Sequence, residues 1–330
     1  MYKKLAVLVT ALGFLGLAVS SSFASPERWK REGWKKIDFA VTSIDLSEIM
    51  SGGIGRDVIP PIDQPKFKPA DEVTDVADTE PVIGFDLNGD ARAYPLQLMT
   101  WHEIVNDVVG GVPVAVTYCP LCNSAIVFER MVDGKKLSFG TTGKLRNSDL
   151  VMYDRQTESW WQQFIGTGIV GIMTGTKLKS LPARLESFAN FKARFPDGKV
   201  LVPNNPGMRA YGKNPYAGYD SSVRPFLYRG EMPEGIEPMA RVVSYSDGGE
   251  PQAVSLALLS KKQKMEIGDI VLSWSKGQNS ALDTRVISRG RDVGNILVQR
   301  KTDDGMKDIV YDITFAFVVN AFYPGIEITK

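Results

Sequence analysis

The sequence predicts a β-rich α+β fold made of two related halves, in which mostly antiparallel strands are joined by short helices. Three observations carry that expectation. Short Val/Ile/Tyr/Phe runs recur between turn residues, with 31 glycines and 19 prolines in 330 residues, a strand-and-turn composition. Several of these runs are separated by hairpin dipeptides. The chain also repeats itself. Shifted by 160 residues, "VIGFDLNGDARAYPLQLM" (82–99) falls on "VVSYSDGGEPQAVSLALL" (242–259) without a gap, and Val82, Gly89, Ala93, Leu96 and Leu98 recur identically. Four residues are then lost. At a shift of 156, "VAVTYCPLCNSAI" (114–126) falls on "IVLSWSKGQNSAL" (270–282), so that Asn123-Ser124-Ala125 meets Asn279-Ser280-Ala281. Two matches in the same order point to duplication.

Residues 1–24 read as an export signal. Lys3 and Lys4 precede an apolar run from Leu5 to Val19, and small residues lead to a cleavage point near Ala24. The expected product is a soluble protein of the periplasm or the medium. The nearest later approach to a membrane span, Ile309 to Phe322, carries Asp312 and Asn320, so no integral span is expected in the mature chain. A net charge of +1 gives no basic surface for nucleic acid.

Residues 25–75 read as an extended N-terminal strap, with Pro60, Pro61, Pro65 and Pro69 holding the chain open and Ile59, Ile62 and Phe67 pinning it to the body. Residues 76–180 form the first half. It opens on a hairpin, Val82–Phe85 and Ala91–Tyr94 around Asn88-Gly89. "TWHEIVNDVVGG" reads as a short helix with Thr100 as N-cap and Glu103 at capping-box spacing. "VPVAVTY" is a buried strand, and a second hairpin turns at Asp133-Gly134. Residues 181–240 read as a connector. Its helical stretch carries Leu185, Phe188, Phe191 and Phe195 at core spacing, and a Gly/Asn/Pro/Tyr loop follows. Residues 241–330 are the second half.

The chemistry-bearing stretch is "TYCPLCNSA" (117–125), which holds both cysteines of the chain. The single histidine, His102, lies upstream, and its apolar neighbours Leu98 and Val105 turn it inward. The second copy has Ser275 and Gln278 in place of Cys119 and Cys122, and Lys261-Lys262 in place of Trp101-His102. Only one copy is equipped. Two thiolates and an imidazole suit a soft metal, copper(I) ahead of zinc, with Met99 and Met152 as fourth ligands by residue type alone. The alternative is a thiol–disulfide oxidoreductase in which Cys119 and Cys122 are the catalytic pair. The β-branched, alternating residues after the pair read as a strand rather than the helix of a thioredoxin fold. The third reading is a binding or scaffold protein with a structural Cys119–Cys122 disulfide, although so small a loop stabilises little. The first two readings imply a metal or redox partner protein in the periplasm.

The segment 139–163 reads as a glycine turn, a strand from Leu150 to Tyr153 and a turn ion pair among Arg146, Asp149, Asp154 and Arg155. The alternative is a rim for an anionic or polar ligand. No phosphate loop, Ser-His-Asp set or HExxH motif is present.

"IPPIDQPKF", "ARAYPL", "WHEIVND", "VTYCPLCNSAIVFER" and "LRNSDLVMYDRQTESWWQQ" resemble the domain of unknown function 3179 family of exported prokaryotic proteins. The resemblance runs from about residue 44 to 230 and continues more weakly through the second half. Its Trp-His-Glu and Tyr-Cys-Pro-Leu-Cys motifs fall on Trp101, His102, Glu103, Tyr118, Cys119, Pro120, Leu121 and Cys122. The resemblance implies where the site lies and brings no activity with it.

Overall fold

The computed structural model describes residues 25–330, so the expected export signal lies outside the described residues. Strands dominate and the helices are short. The strands build five sheets of four or five strands and one two-stranded hairpin, and almost every pairing is antiparallel. The sheets are arranged as a five-bladed propeller, and the chain does not divide clearly into the two halves that the repeat predicts.

The reason is one odd sheet. The first sheet holds Pro81–Leu87 and Asp90–Pro95, flanked by Arg184–Ser187, Lys199–Val202 and Lys66–Pro69. The fourth holds Arg241–Asp247 and Glu250–Ser255, flanked by Tyr311–Phe315 and Ile328–Thr329 in the same order. The second sheet (Ile104–Val109, Val112–Cys119, Ser124–Glu129, Ser180–Leu181) matches the fifth (Lys264–Ile267, Ile270–Ser275, Asn295–Thr302, Gly305–Asp308) strand for strand. The third sheet has no counterpart. Four of its five strands, Phe139–Arg146, Asp149–Asp154, Trp160–Gln162 and Thr167–Val170, enter between Glu129 and Ser180, where the second copy makes only the turn from Thr302 to Gly305, and the fifth, Met50–Ser51, comes from the N-terminal stretch.

The duplication extends further in space than the matched stretches. The helix Phe188–Arg194 corresponds to Ala316–Phe322 at a shift of 128 (188 to 316). Both helices begin on the same backbone bonds. Phe188 N–H donates to Glu80 C=O and Ala316 N–H to Ala240 C=O, each at 2.9 Å. The flanking strands then cross over: Tyr311–Phe315 lies against Ser124–Glu129, and Arg184–Ser187 against Asn295–Thr302. The stretch 181–240 therefore supplies a strand, a helix and a second strand to the first sheet. The core between these four sheets is aliphatic and aromatic, with Ile83, Tyr94, Val116, Val127, Val243, Leu272 and Val298 all buried.

Local chemistry explains the hairpins. Asn88 and Gly89 both take positive φ (53° and 80°), which a two-residue turn between right-twisted strands requires. Asp133-Gly134 does the same between Met131–Val132 and Lys135–Lys136. "TWHEIVNDVVGG" is not the helix expected. The helix is Leu96–His102, and Ile104–Val109 is a strand. Its β-branched Ile104, Val105, Val108 and Val109 pack better on a pleated sheet than in a helix. Thr100 lies inside the helix with its hydroxyl buried and unpartnered rather than capping an end.

The N-terminal stretch is pinned more by aromatics than by its prolines. The short helix Pro26–Arg31 presents Trp29 to Trp160 (ring centroids 4.8 Å apart), and Trp34 packs edge-on against the same ring at 5.3 Å. Each such contact adds on the order of 1 kcal/mol beyond area burial. Farther on, Ile62 is buried and its backbone bridges Val105, Phe67 is half-buried in an edge strand of the first sheet, and Ile59 is half-buried. At Gly143 this stretch touches the bulged strand of the third sheet. A Cβ there would sit 2.3 Å from the Ile54 carbonyl oxygen, and φ is +70°, so only glycine fits.

Candidate metal centre

Cys119 is the last residue of the central strand of the second sheet. The chain turns at once: Cys122 N–H donates to Cys119 C=O (3.2 Å) and Asn123 N–H to Pro120 C=O (3.2 Å). Asn123 sits at φ 53°, a conformation that asparagine tolerates better than most residues. Three bonds from the second copy hold the turn. Asn123 Nδ2 donates to Ile313 C=O (2.9 Å), Thr314 Oγ1 to Cys122 C=O (2.8 Å), and Ala125 N–H to Asp312 Oδ1 (2.8 Å). Both thiols end up buried and free, not bridged.

The group that meets them is Asp149, the first residue of its strand in the third sheet. Ligand atoms of Cys119, Cys122 and Asp149 all lie within 4.8 Å of one another. The Asp149 side chain enters because Asn147 and Ser148, both at positive φ (53° and 64°), turn the chain there. Its Oδ2 accepts from Gln162 Nε2 (2.6 Å) and Phe164 N–H (3.0 Å). Its Oδ1 has no conventional partner, and the thiols are what that carboxyl meets. The Ser148 carbonyl lies 3.7 Å from Cys122 Sγ and 4.0 Å from Cys119 Sγ.

Electrostatically the site lacks positive charge. Burial pushes Cys119 up and Cys122 well up, the second reinforced by its neighbouring thiol. Burial pushes Asp149 up to about 6 against the bonds from Phe164 and Gln162 that hold it down. Among the described residues no basic side chain hydrogen-bonds to any of the three. Arg146 reaches only the far end of Gln162, at 3.4 Å, while its main partner is Glu48 at 2.7 Å.

His102 does not join the thiols. It ends its helix, buried, with Nδ1 2.7 Å from Pro60 C=O and Nε2 2.8 Å from Tyr211 Oη. A carbonyl only accepts, so Nδ1 carries the proton and Nε2 accepts from the tyrosine hydroxyl. Both ring nitrogens are occupied, and burial pushes the imidazole pKa down. The expectation that it faces inward holds, but it faces the N-terminal stretch and works as a lock between Pro60 and Tyr211. Among the described residues the three-group cluster is completed by a carboxylate in its place. Met99 and Met152 are both buried in the core, Met152 in the same apolar cluster as the two cysteines and Met99 in another.

The segment 139–163 also departs from expectation. Arg155 pairs with Asp63 (2.7 Å), and Asp154 accepts from Thr157 and from Trp161 Nε1 (3.0 Å), so there is no turn ion pair among Arg146, Asp149, Asp154 and Arg155. Asp149 was legible only as a polar residue heading the apolar run Leu150–Tyr153. The sequence signal that singles it out is that it belongs to the stretch between Glu129 and Ser180, which the second copy lacks.

A cavity of about 450 Å³ adjoins the cluster. Glu103, Leu121 and Leu150 form its inner side, and Tyr216, Tyr219 and Phe226 come from the loop after residue 203. Glu103 is buried and sits at φ 59°, and its carboxyl, pushed up to about 8 by burial and by the charge of Asp149, accepts one long bond from Tyr216 Oη (3.4 Å). Its counterpart Gln263 has the same φ of 59°. That backbone conformation is therefore a property of the duplicated fold, and the carboxyl is the particular of this copy.

These features define a β-sheet protein with a buried two-thiol, one-carboxylate cluster beside an open cavity. The chain belongs to the family described as protein of unknown function (DUF3179), whose model matches residues 56–325. Neither a curated protein nor a solved structure matches it. Among the described residues no helix is long and apolar enough to cross a membrane.

Proposed function

We propose that this protein binds a metal ion among Cys119, Cys122 and Asp149, zinc ahead of copper(I), and that it does so after export to the periplasm or beyond. One observation carries the metal reading: three buried acidic groups converge within 4.8 Å with no cation among them. Burial leaves the two thiols protonated beside the carboxyl, and all three groups can ionise together only around a shared positive charge. A metal ion supplies that charge and displaces the protons. Replacing an imidazole by a carboxylate moves the preference from copper(I) to zinc, since hard oxygen ligands disfavour copper(I). Three protein ligands leave a fourth position of a tetrahedral ion open. Export is supported by Lys3-Lys4, the apolar run Leu5–Val19 and the small residues before Ala24.

The test is zinc titration of the reduced, chelator-stripped protein against a chromophoric competitor. One zinc per chain is expected. Asp149→Asn, which removes a ligand, should weaken binding by at least the roughly 10- to 100-fold that losing a group supporting a ligand costs, and His102→Gln should leave it unchanged. Wild-type protein that takes up neither zinc nor copper(I) would overturn the reading.

A second reading is favoured by the two free thiols meeting in one turn. This is thiol–disulfide exchange through Cys119 and Cys122. It ranks second because burial lifts both thiols and lowers the thiolate fraction that exchange needs. A reduction potential above about −300 mV in a protein that holds no metal would favour it. The physiological partner would then be a redox protein, and on the metal reading a metal donor or acceptor.

A further inference from the structure

We propose that the cavity beside the cluster binds a small primary amine with an apolar body, its ammonium group held by Glu103 with Tyr216 and Tyr219 beside it. This site is separate from the metal ligands: Glu103, Leu121 and Leu150 line the cavity, and neither cysteine nor Asp149 does.

Size and lining set the ligand's body. A volume of about 450 Å³ lies within the ordinary range for small-molecule sites. Ile54, Ile59, Leu145 and Phe226 make the outer walls apolar. Such walls reward a short hydrocarbon or ring.

Charge sets the head group. Lys144 is the one basic residue on the lining, and its ammonium is held by Glu32 at 2.5 Å. It is not free to receive an anion. Glu103 is buried on the opposite account: its carboxyl has only the 3.4 Å bond from Tyr216. The negative potential of Asp149 reaches it as well. A carboxylate ligand would find no free cation on this lining, since Lys144 is held by Glu32. An ammonium would form a charge-assisted hydrogen bond with Glu103, and the Tyr216 hydroxyl beside that carboxyl offers it a second acceptor oxygen. Without such a cation, burial reinforced by the charge of Asp149 lifts Glu103 to about 8, so at pH 7 the ammonium binds as the carboxyl gives up its proton to solvent. The second copy has Gln263 at the equivalent position, so the fold does not require an acid there.

The experiment measures binding of n-hexylamine, 1-hexanol and hexanoate at pH 7 by titration calorimetry, on metal-free and on zinc-loaded protein. Hexylamine should bind both forms, hexanol more weakly, and hexanoate weakest. Glu103→Gln should weaken hexylamine about tenfold or more, the scale of one hydrogen bond to a charged group, and leave hexanol unchanged. Ala217→Trp, on the exposed rim of the cavity, should block both without touching the core. Hexanoate binding as tightly as hexylamine would overturn the proposal. So would an unchanged hexylamine affinity in Glu103→Gln, unchanged binding in Ala217→Trp, or no binding of any probe to wild type. Zinc content is read separately, so failure of the metal reading shows as unloaded protein that still binds the amine.

Discussion

Val112–Cys119 and Ile270–Ser275 are equivalent strands with different fates. The first runs through residues 120–123 into its partner Ser124–Glu129. The second runs through residues 276–294 before reaching Asn295–Thr302. The short turn concentrates two thiols under the edge of the third sheet. The long loop has no third sheet to face, because the second copy turns directly at Thr302–Gly305. Everything the copies share, including the matched hairpins, the short helices and the left-handed residue at 103 and 263, is framework. Everything that makes a site is where they differ.

The largest test of that contrast is to move the thiols. Cys119→Ser should reduce zinc binding to background, while Ser275→Cys with Gln278→Cys should create no site, because Ser275 is exposed and the carboxylate nearby, Asp292, is already held by the backbone N–H groups of Gly277, Gln278 and Gly294. A metal bound by the grafted pair with wild-type affinity would break the comparison.

The next effect is in stability against pH. Glu80 is lifted to about 7 by burial, and its Oε2 has no partner. Its counterpart is Ala240, which makes the same helix-starting backbone bond. Since the folded-state pKa lies above the ordinary 4.5, the unfolded chain ionises first as pH rises. Stability is therefore lost between about pH 4.5 and 7, by up to about 3 kcal/mol. Glu80→Ala should remove its share of the loss, making the fall in stability between pH 5 and 8 in urea unfolding smaller, with Glu103 and Asp149 supplying the remainder. An unaltered pH slope would show that Glu80 is not its source.

The two Asn-Ser-Ala stretches should then separate. Asn123 is buried at positive φ, accepts from Tyr118 Oη (3.3 Å) and donates to Ile313 C=O (2.9 Å). Asn279 sits in the long loop with one side-chain bond, to Ser288 C=O at 2.9 Å. Asn123→Ala should destabilise by about 2–3 kcal/mol and Asn279→Ala by about 1 kcal/mol, read from chemical denaturation midpoints. Equal losses would mean the two stretches are equivalent after all. The smallest change expected is from Glu103→Gln at pH 4, where the lifted carboxyl keeps its proton in the folded state and largely in the unfolded one; the variant copies the second repeat and should alter stability there by about 1 kcal/mol or less.

Much of the frame was legible because periodicity and turn chemistry act locally. Asn88-Gly89 and Asp133-Gly134 announce their hairpins, and the matched stretch 82–99 and 242–259 becomes strand, strand and helix in both copies. Thr100 misled because Thr-x-x-Glu spacing looks like a cap even when a β-branched run follows. The Asn-Ser-Ala match also misled: 123–125 enters a strand, while 279–281 lies in a loop. Three small residues can align in sequence without sharing a place in the sheet.

The sequence by itself determined the strand-rich class, the two pairs of matched stretches and the pair of thiols set in only one of them, since each rests on residues close together or on stretches that align along the chain. Only the tertiary structure decided what stands beside those thiols. Asp149 reaches them from a separate sheet, and His102, nearer in the chain, is turned to Pro60 and Tyr211. The physical reason is that a strand end has one direction and a helix end another. Cys119 leaves its sheet toward the inserted one, whereas His102 closes its helix against the N-terminal stretch, and no spacing along the chain records that divergence.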